Sequence, residues 1–264
     1  MENLYDIRLA ALLAGAVAEI RSAAELLTGE HAVRDVEAKN PTDFVTNVDR
    51  AVQSRLKERL AAIAPDIQFM AEEQDNAGID PARPFWLLDP VDGTTNLIRG
   101  LRHSAVSLAL VLGGELALGI VCNPFANEVF TAMRGAGAYL NGEPIHVTKV
   151  GSLARSLVSV GTAPGHREWA DRVFSEMRAL FDGSLDVRRS GCASLDLCDV
   201  ACGRIDAYIE RYLLPWDYAA GALIVSEAGG RAENCAGEPL SLTRSDSLLA
   251  SNSALHGALL ELLK

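Results

Sequence analysis

The spacing of hydrophobic residues changes twice along the sequence, and this change limits the folds that the chain can adopt. Residues 2–28 and a segment that begins at Asn47 carry apolar side chains at helical spacing, and Gly29 and Pro65 end these two predicted helices. Residues 67–147 instead contain short runs typical of β-strands. After about residue 150, strand and helix patterns alternate.

The predicted elements of the two parts differ in kind. The first part has predicted strands at 67–71, 85–88, 105–112, 116–121 and 128–133, with a hairpin turn at Gly113-Gly114. The second part has predicted strands at 157–160, 185–187, 205–209 and 248–251, and predicted helices at 166–181, 193–202, 217–228 and 253–263. An antiparallel-rich part followed by an alternating part favours layered sheets and helices. We predict one unit over 1–264, with an α+β half at 1–150 and an α/β half at 151–264 that pack together.

The charge balance restricts the partners of this chain. Asp and Glu number 35 against 24 Lys and Arg, which gives a net charge of -11. Because so acidic a chain repels phosphate backbones, we expect no direct nucleic-acid binding. The same charge argues against an anionic substrate unless bound metal ions reverse the local field.

Compartment and redox state follow from the termini and the cysteines. The longest apolar run, Leu9–Ala18, is too short to span a bilayer, and the acidic N-terminus lacks the positive charge of a signal peptide. The five cysteines include no C-x-x-C pair, so we expect reduced thiols. The sequence therefore predicts a cytoplasmic protein without a membrane segment.

The most informative segment, residues 86–96, places two acidic residues at the end of an apolar strand. Asp89 ends the strand, and the proline and glycine that follow favour a tight turn that holds Asp89 near Asp92. Two carboxylates and the Val91 carbonyl are hard oxygen donors of the kind that Mg²⁺ prefers. Ordinary turn chemistry explains each residue separately, but it does not explain why two carboxylates converge.

The residues that follow the turn are suited to an anion. Gly93 and Thr94 open a short predicted helix, so their backbone N–H groups are free to bind phosphate oxygens. The alternative is that the threonines only cap the helix.

Three further acidic elements lie near predicted strand or helix ends. Glu72-Glu73 follows a predicted strand, and because neighbouring strand residues face opposite ways, only one of the two can join a cluster with Asp89. Asp217 opens a predicted helix and Asp49 lies in the first turn of another. Their alternative interpretations are an exposed loop start, a helix N-cap and a favourable helix-dipole position, respectively.

Together these elements resemble the inositol monophosphatase family of magnesium-dependent, lithium-sensitive phosphatases, within the fructose-1,6-bisphosphatase-like fold. The motifs are D-x-V-T-x-x-D at Asp43–Asp49, E-E at Glu72-Glu73, D-P-[IV]-D-G-T-T-N at Asp89–Asn96 and W-D-x-A-A-G at Trp216–Gly221. The similarity covers nearly the whole chain. It implies a layered α-β-α-β-α sandwich of the α+β and α/β type, a homodimer, and hydrolysis of inositol monophosphate by metal-activated water.

The resemblance also implies roles for individual residues. Two or three Mg²⁺ ions would be held by oxygen donors of five residues, Glu72, Asp89, Val91, Asp92 and Asp217. Thr94 would position the attacking water and Asp49 would accept from its hydroxyl, with Glu72 as a further catalytic residue. Gly93 and Thr94 would bind phosphate. Lys39, in a predicted mobile loop, and Glu73 are possible additions, although an ordinary surface lysine is an equally good interpretation.

Substrate contacts in the family come mainly from the second half. The implied substrate-binding residues are Asp92, Gly191, Cys192, Ala193, Glu210 and Asp217. The alternative for Glu210 is a solvated strand end. This sequence departs from the usual family pattern here, because Cys192 replaces the usual Ser or Thr and Ser194 replaces the common Ala.

These departures leave the substrate open. The same chemistry on histidinol phosphate, fructose 1,6-bisphosphate, NADP or a 3′-phosphonucleotide is an alternative, since a few side chains distinguish such ligands. A hypothesis of another class is a protein-interaction role with the transcription machinery, as in some bacterial relatives.

Overall fold

The computed structural model describes residues 4–29 and 32–264. The α-helices are α1 (Leu4–Thr28), α2 (Asn47–Ile63), α3 (Thr94–Ile98), α4 (Ala170–Gly183), α5 (Ala193–Ala201), α6 (Pro215–Glu227) and α7 (His256–Leu262). The strands of the first half are β1 (Val36–Asn40), β2 (Asp43–Thr46), β3 (Gln68–Ala71), β4 (Phe85–Asp92), β5 (Ala105–Leu112), β6 (Glu115–Asn123), β7 (Glu128–Met133), β8 (Ala138–Leu140) and β9 (Glu143–Pro144). Those of the second half are β10 (Leu157–Val160), β11 (Asp186–Arg188), β12 (Ala207–Leu213), β13 (Gly230–Glu233) and β14 (Asp246–Asn252).

The described strands form two large sheets and a separate hairpin, β1–β2. The seven-stranded sheet has the order β3-β4-β5-β6-β7-β8-β9 and is antiparallel except for the β3–β4 pair. The five-stranded sheet has the order β11-β10-β12-β14-β13, with β10 parallel to both of its neighbours.

Helices cover both faces of each large sheet. Helices α1 and α2 pack on one face of the seven-stranded sheet, α5 and α6 lie between the two sheets, and α4 and α7 cover the outer face of the five-stranded sheet. The predicted α-β-α-β-α sandwich is therefore confirmed. Strand β4 shows why its sequence is continuously apolar: Trp86 and Leu88 pack towards α1 and α2, whereas Phe85 and Leu87 pack towards α5 and α6.

Helix α6 makes very close contacts on two sides. A Cβ atom on Gly221 would lie 2.5 Å from the Leu197 Cβ atom of α5, and one on Gly119 of β6 would lie 2.6 Å from the Ala220 carbonyl oxygen. Glycine at these two positions lets α6 sit directly against a helix and a strand. The small residues at 219–222 allow this close packing.

Most predicted elements are present, and the differences have local causes. Strands β5, β7 and β10 occupy the predicted residues, and Gly113 and Gly114 form the predicted turn with φ of 61° and 79°. The predicted strand 205–209 lies instead at Ala207–Leu213, and the predicted helix 166–181 is a 3₁₀ turn (Arg167–Trp169) followed by α4. Residues 2 and 3 of the first predicted helix lie outside the described residues.

The segment around Lys39 also differs from its prediction. It is strand β1 of the β1–β2 hairpin, not the predicted mobile loop. All five residues of β1 are exposed, so no alternation of apolar residues marks it as a strand. In the part of the chain that the structure describes, no helix combines the length and the apolarity needed to cross a membrane.

Candidate active site

A cleft of about 420 Å³ lies where the two halves of the chain meet. The acidic residues that line it are Asp43, Glu72, Asp89, Asp92, Asp196, Glu210 and Asp217. Among the described lining residues, Arg189 is the only arginine and no lysine is present. The cleft is therefore strongly acidic and is suited to cations.

The last residues of β4, which continues to Asp92 and not only to the predicted residue 88, present three of the predicted oxygen donors. Asp89 Oδ1 accepts a hydrogen bond from the Val91 N–H at 2.9 Å, and the pairing of β4 with β5 is irregular between Asp89 and Asp92. This irregularity places both carboxylates and Val91 on the cleft wall. Gly93 follows with φ of 83°, where a Cβ atom would lie 3.1 Å from the His103 carbonyl oxygen, so the turn requires glycine.

Thr94 connects the cleft to a carboxylate behind it. Its Oγ1 lies 3.2 Å from Asp49 Oδ1 and 2.9 Å from the Val91 carbonyl oxygen. Asp49 is fully buried, does not line the cleft, and accepts from Thr46 N–H at 2.8 Å through its other oxygen. Burial raises the pKa of Asp49. Asp49 thus contacts the cleft only through the threonine hydroxyl, and it also closes the capping box of α2.

Asp92 is held by the beginning of α5. Its Oδ2 accepts from the Ser194 N–H and the Ser194 hydroxyl, both at 2.6 Å, and from the Cys192 thiol at 3.1 Å. Burial and the neighbouring Asp92 charge raise the pKa of Cys192 well above its usual value, so the group is a thiol that donates. The hydroxyl that the family usually carries at 192 stands at 194 in this chain and binds the carboxylate from there.

Asp217 is fixed at the start of α6. It is not the N-cap residue, because Leu214 occupies that position and its N–H donates to Asp217 Oδ2 at 2.7 Å. In the described part of the chain, the second oxygens of Asp89, Asp92 and Asp217 have no hydrogen-bond partner. Each carboxylate is thus oriented by one oxygen while the other is left for a ligand.

The acidic cluster has an unfavourable electrostatic balance by itself. Burial, followed by repulsion from Glu72 and Asp92, raises the pKa of Asp217 well above its usual value, and the pKa of Asp89 is raised in the same way. Burial raises the pKa of Glu72 to about 7, although the Lys39 ammonium opposes this shift. A bound cation would relieve this repulsion.

Lys39 pairs with both residues of the predicted acidic pair. Its Nζ lies 2.7 Å from Glu72 Oε1 and 2.5 Å from Glu73 Oε1. Only Glu72 of the two lines the cleft, as predicted. Strand alternation is not the reason, because β3 ends at Ala71 and both carboxylates reach the same ammonium. Although predicted only as a possible addition, Lys39 is the lysine that contacts the acidic cluster.

Four of the six predicted substrate residues lie on the wall formed by α5 and β12, and the other two, Asp92 and Asp217, belong to β4 and α6. Gly191, Cys192, Ala193 and Glu210 all line the cleft. Glu210 is buried in the middle of β12, so the alternative interpretation as a solvated strand end is wrong. Its oxygens accept from the Ala163 N–H at 2.9 Å and the Tyr208 hydroxyl at 2.5 Å, and burial raises its pKa.

The inositol monophosphatase family matches residues 1–264, the full length. The chain belongs to the inositol monophosphatase family. It is 38% identical over 242 residues to an inositol-1-monophosphatase of Synechocystis sp., covering 90% of this chain and 83% of the relative. It is also 38% identical over 218 residues to the Nus factor SuhB of Escherichia coli K12, covering 81% and 82%. The extragenic suppressor protein suhB from Bartonella henselae superposes with a TM-score of 0.90, at 31% identity, over 96% of this chain and 98% of that chain.

This inositol monophosphatase family member is a phosphoric monoester hydrolase of the inositol-1-monophosphatase-like type, and the family is generally metal-dependent. The donors in the cleft fit a hard divalent cation, because they are a carbonyl and carboxylates that each have a second oxygen free of hydrogen bonds to the described residues. The cluster is open as placed: within residues 4–29 and 32–264, no three His, Cys, Asp or Glu side chains lie close enough to enclose a metal ion.

Sequence reasoning missed several residues of the phosphatase cleft. Asp196 on α5 accepts from the Ser159 hydroxyl at 2.8 Å and the Ser190 hydroxyl at 2.5 Å, and burial raises its pKa to about 7. An acidic residue on the apolar face of α5 is the signal that could have identified it. Asn96 does not line the cleft, but its Nδ2 donates to the Ser190 carbonyl at 3.1 Å and ties α3 to the opposite wall, a role that its place in the motif does not indicate.

Proposed function

We propose that this protein is a Mg²⁺-dependent phosphomonoesterase that hydrolyses inositol monophosphate to inositol and phosphate. The observation that carries the proposal is the arrangement of Asp89, Asp92 and Asp217, each oriented through one oxygen with the other left for a ligand. The inositol-1-monophosphatase relative supports the choice of substrate.

The residues proposed to hold the ions, two or three in number, are those whose oxygens line one wall of the cleft: Glu72, Asp89, Val91, Asp92 and Asp217. Bound Mg²⁺ would supply a hydroxide-generating charge and neutralise the leaving oxygen. Glu72 would take part in catalysis because it holds one of these ions. Glu73 stays a neighbour that keeps Lys39 in place.

Thr94 and Asp49 are proposed to orient the nucleophile. The Thr94 hydroxyl has one hydrogen, which it donates either to Asp49 Oδ1 or to the Val91 carbonyl. In both cases its oxygen lone pairs are left to accept from an attacking water. The Gly93 and Thr94 amides at the start of α3 would bind phosphate oxygens, and this wall therefore both orients the water and fixes the phosphate.

Substrate binding is proposed for the opposite wall. Glu210 on this wall and Asp92 on the metal-binding wall present acceptor oxygens for polyol hydroxyls, and Gly191, Cys192 and Ala193 line the cleft with Glu210. The two halves would act as one catalytic unit over residues 1–264. Hydrogen bonds from Ser194 to Asp92 and from Asn96 to Ser190 join residues 1–150 to residues 151–264 at the cleft and support this.

The direct test is phosphate release from myo-inositol 1-phosphate at increasing Mg²⁺, with and without Li⁺. We expect turnover that requires Mg²⁺ and falls with Li⁺. No phosphate release at saturating Mg²⁺ would refute the proposal. A homodimeric state, checked by light scattering on the eluting protein, and a cytoplasmic location belong to the same proposal.

A second candidate function is the protein-interaction role, which the SuhB-named relatives favour. The two functions differ in their need for the acidic cluster, because binding to the transcription machinery gives no reason for Asp89, Asp92 and Asp217 to converge in one cleft. We therefore propose hydrolysis as the primary function.

A further inference from the structure

We propose that this cleft has a second substrate subsite, formed by His166, Trp169 and Tyr212, which binds a planar heteroaromatic ring in the leaving group of a phosphate monoester. The inference rests on the proposed phosphatase function and widens its substrate class beyond inositol monophosphate.

The subsite adjoins the proposed substrate wall. Strand β12 brings Tyr208, Glu210 and Tyr212 to the cleft at alternate positions. His166 also lines the cleft. Its backbone N–H donates at 2.8 Å to the carbonyl oxygen of Ala163, and the backbone N–H of Ala163 in turn donates to Glu210. A leaving group that passes Glu210 therefore reaches the rings next.

The three rings form a corner. His166 and Trp169 are stacked, with centroids 4.3 Å apart and an interplanar angle of 12°. The Tyr212 ring lies 4.1 Å from His166 and 6.0 Å from Trp169. The 6.0 Å separation is too short for His166 to be sandwiched between the other two rings, so neither ring covers the second face of the imidazole.

A second cavity of about 350 Å³ lies beyond the rings, and Tyr212 lines both this cavity and the acidic cleft. Trp169, Arg172 and Arg211 line the second cavity together with residues 245–247. Glu176 pairs with both arginines, with Arg211 Nε at 2.8 Å, and Asp246 lines the same cavity, so two negative charges offset the two positive ones. The aromatic faces and the polar groups of residues 245–247 are what this space offers to a ligand.

These features suit a flat heteroaromatic ring better than a polyol. Aromatic faces bind planar rings by stacking, whereas a polyol needs hydrogen-bonding partners on every side. All three rings are half-buried, so a stacked ligand would remove further apolar surface from water. The ring could be a purine of a nucleotide or an imidazole of an amino-alcohol phosphate, and the experiment separates these two sources.

The test compares adenosine 2′-monophosphate and histidinol phosphate with myo-inositol 1-phosphate. For Trp169→Leu, we expect kcat/KM for at least one ring substrate, relative to that for myo-inositol 1-phosphate, to fall by about 5- to 150-fold, the range for loss of one stacked base. Trp169→Phe should restore most of this ratio. The matched control is Phe174→Leu, an exposed aromatic residue of α4 that lines neither cavity.

The outcomes are distinct. A fall confined to adenosine 2′-monophosphate identifies the purine, and one confined to histidinol phosphate identifies the imidazole. An unchanged ratio for both, or the same loss for all three substrates, would overturn the subsite. If the wild-type protein releases phosphate from none of them, the proposed function fails, and the subsite is then judged by binding alone.

Binding can be measured with adenosine, which carries the ring but no phosphate. We expect adenosine to bind the wild-type protein and Trp169→Phe in calorimetry and to bind Trp169→Leu at least about fivefold more weakly. Equal affinity for all three proteins would overturn the subsite. If the wild type binds no adenosine, the same comparison is made with histidinol, and no binding of histidinol either would overturn the subsite independently of catalysis.

Discussion

The two walls of the cleft hold their carboxylates by different means. On the wall formed by α2, β4 and α6, one oxygen of Asp49, Asp89 and Asp217 accepts from a backbone N–H within three residues in the sequence. On the opposite wall, Glu210 accepts from Ala163, 47 residues away, and Asp196 accepts from Ser159, 37 residues away. Local turns thus orient three carboxylates of the first wall, whereas tertiary contacts orient Asp92 and Glu72 of that wall and both carboxylates of the second. We therefore expect the second wall to tolerate changes of ligand better than the locally held carboxylates do.

The largest expected effect is on Asp92, which lies in β4 of the first wall and accepts hydrogen bonds from Ser194 of the second wall. Asp92→Asn removes a charge that the proposed metal site needs, so we expect Mg²⁺-dependent phosphate release to fall by about 10³-fold or more. Circular dichroism should be unchanged. The control is Asp171→Asn, an exposed acidic residue in the first turn of α4. Near-normal turnover by Asp92→Asn would contradict the proposed metal site.

The next largest effect, on kcat, concerns only the first wall. Thr94→Val keeps the shape of the side chain but removes the hydroxyl that links Asp49 to the cleft. We expect kcat to fall by about 10²- to 10⁴-fold, the range for a group that assists proton transfer. Thr95→Val, at the exposed neighbouring position of α3, should have little effect on kcat. Equal kcat values for the two variants would show that the Thr94 hydroxyl plays no part.

A smaller effect tests the support that the distant wall gives to Asp92. Ser194→Ala removes one of the two 2.6 Å hydrogen bonds to Asp92 Oδ2, and we expect about 10- to 100-fold weaker Mg²⁺ binding by calorimetry. The double variant Cys192→Ser/Ser194→Ala returns the hydroxyl to its usual family position and should recover most of the affinity. If the double variant binds Mg²⁺ no better than Ser194→Ala, the relocated hydroxyl does not position the carboxylate.

The smallest effect, on stability, lies outside the cleft, in helix α7 on the outer face of the five-stranded sheet. His256 is fully buried, with Nδ1 2.8 Å from Ser251 Oγ and Nε2 3.3 Å from Glu233 Oε2. Burial lowers its pKa below the usual 6.5, although Glu233 opposes the shift. The unfolded chain then binds the proton more readily, so stability falls as the pH drops below about 6.5. We expect the decrease in Tm between about pH 7.5 and about pH 5 to be smaller in His256→Gln. Identical decreases would show that His256 does not contribute.

The same contrast explains how much could be predicted from the sequence. Strands β5 and β7 occupy the predicted residues because their apolar runs are buried in the sandwich. The motif around Asp89 was interpretable because its geometry is a turn of a few residues. Hairpin β1–β2 was missed because β1 is wholly exposed and therefore carries no alternating pattern.

Residues that meet only in three dimensions could not be predicted in this way. The sequence contains no local signal that His166 and Tyr212 form one aromatic cluster, because the fold of the five-stranded sheet brings them together. Glu210 resembled a solvated strand end for the same reason, since the backbone group that binds it belongs to residue 163. Hydrogen bonds between residues close in the sequence can be predicted from turn motifs, whereas hydrogen bonds between distant residues depend on the whole fold.

The close seating of α6 has a consequence for protein engineering. Gly119 and Gly221 each leave no room for a methyl group, so a substitution at either would push the helix that begins beside Asp217 away from its neighbours. A library intended to alter substrate preference should therefore vary β12 and the segment that carries His166 and Trp169, but keep these two glycines. The position of α6 fixes that of Asp217, a proposed metal ligand, so we expect redesign to be tolerated on the far side of the cleft and not there.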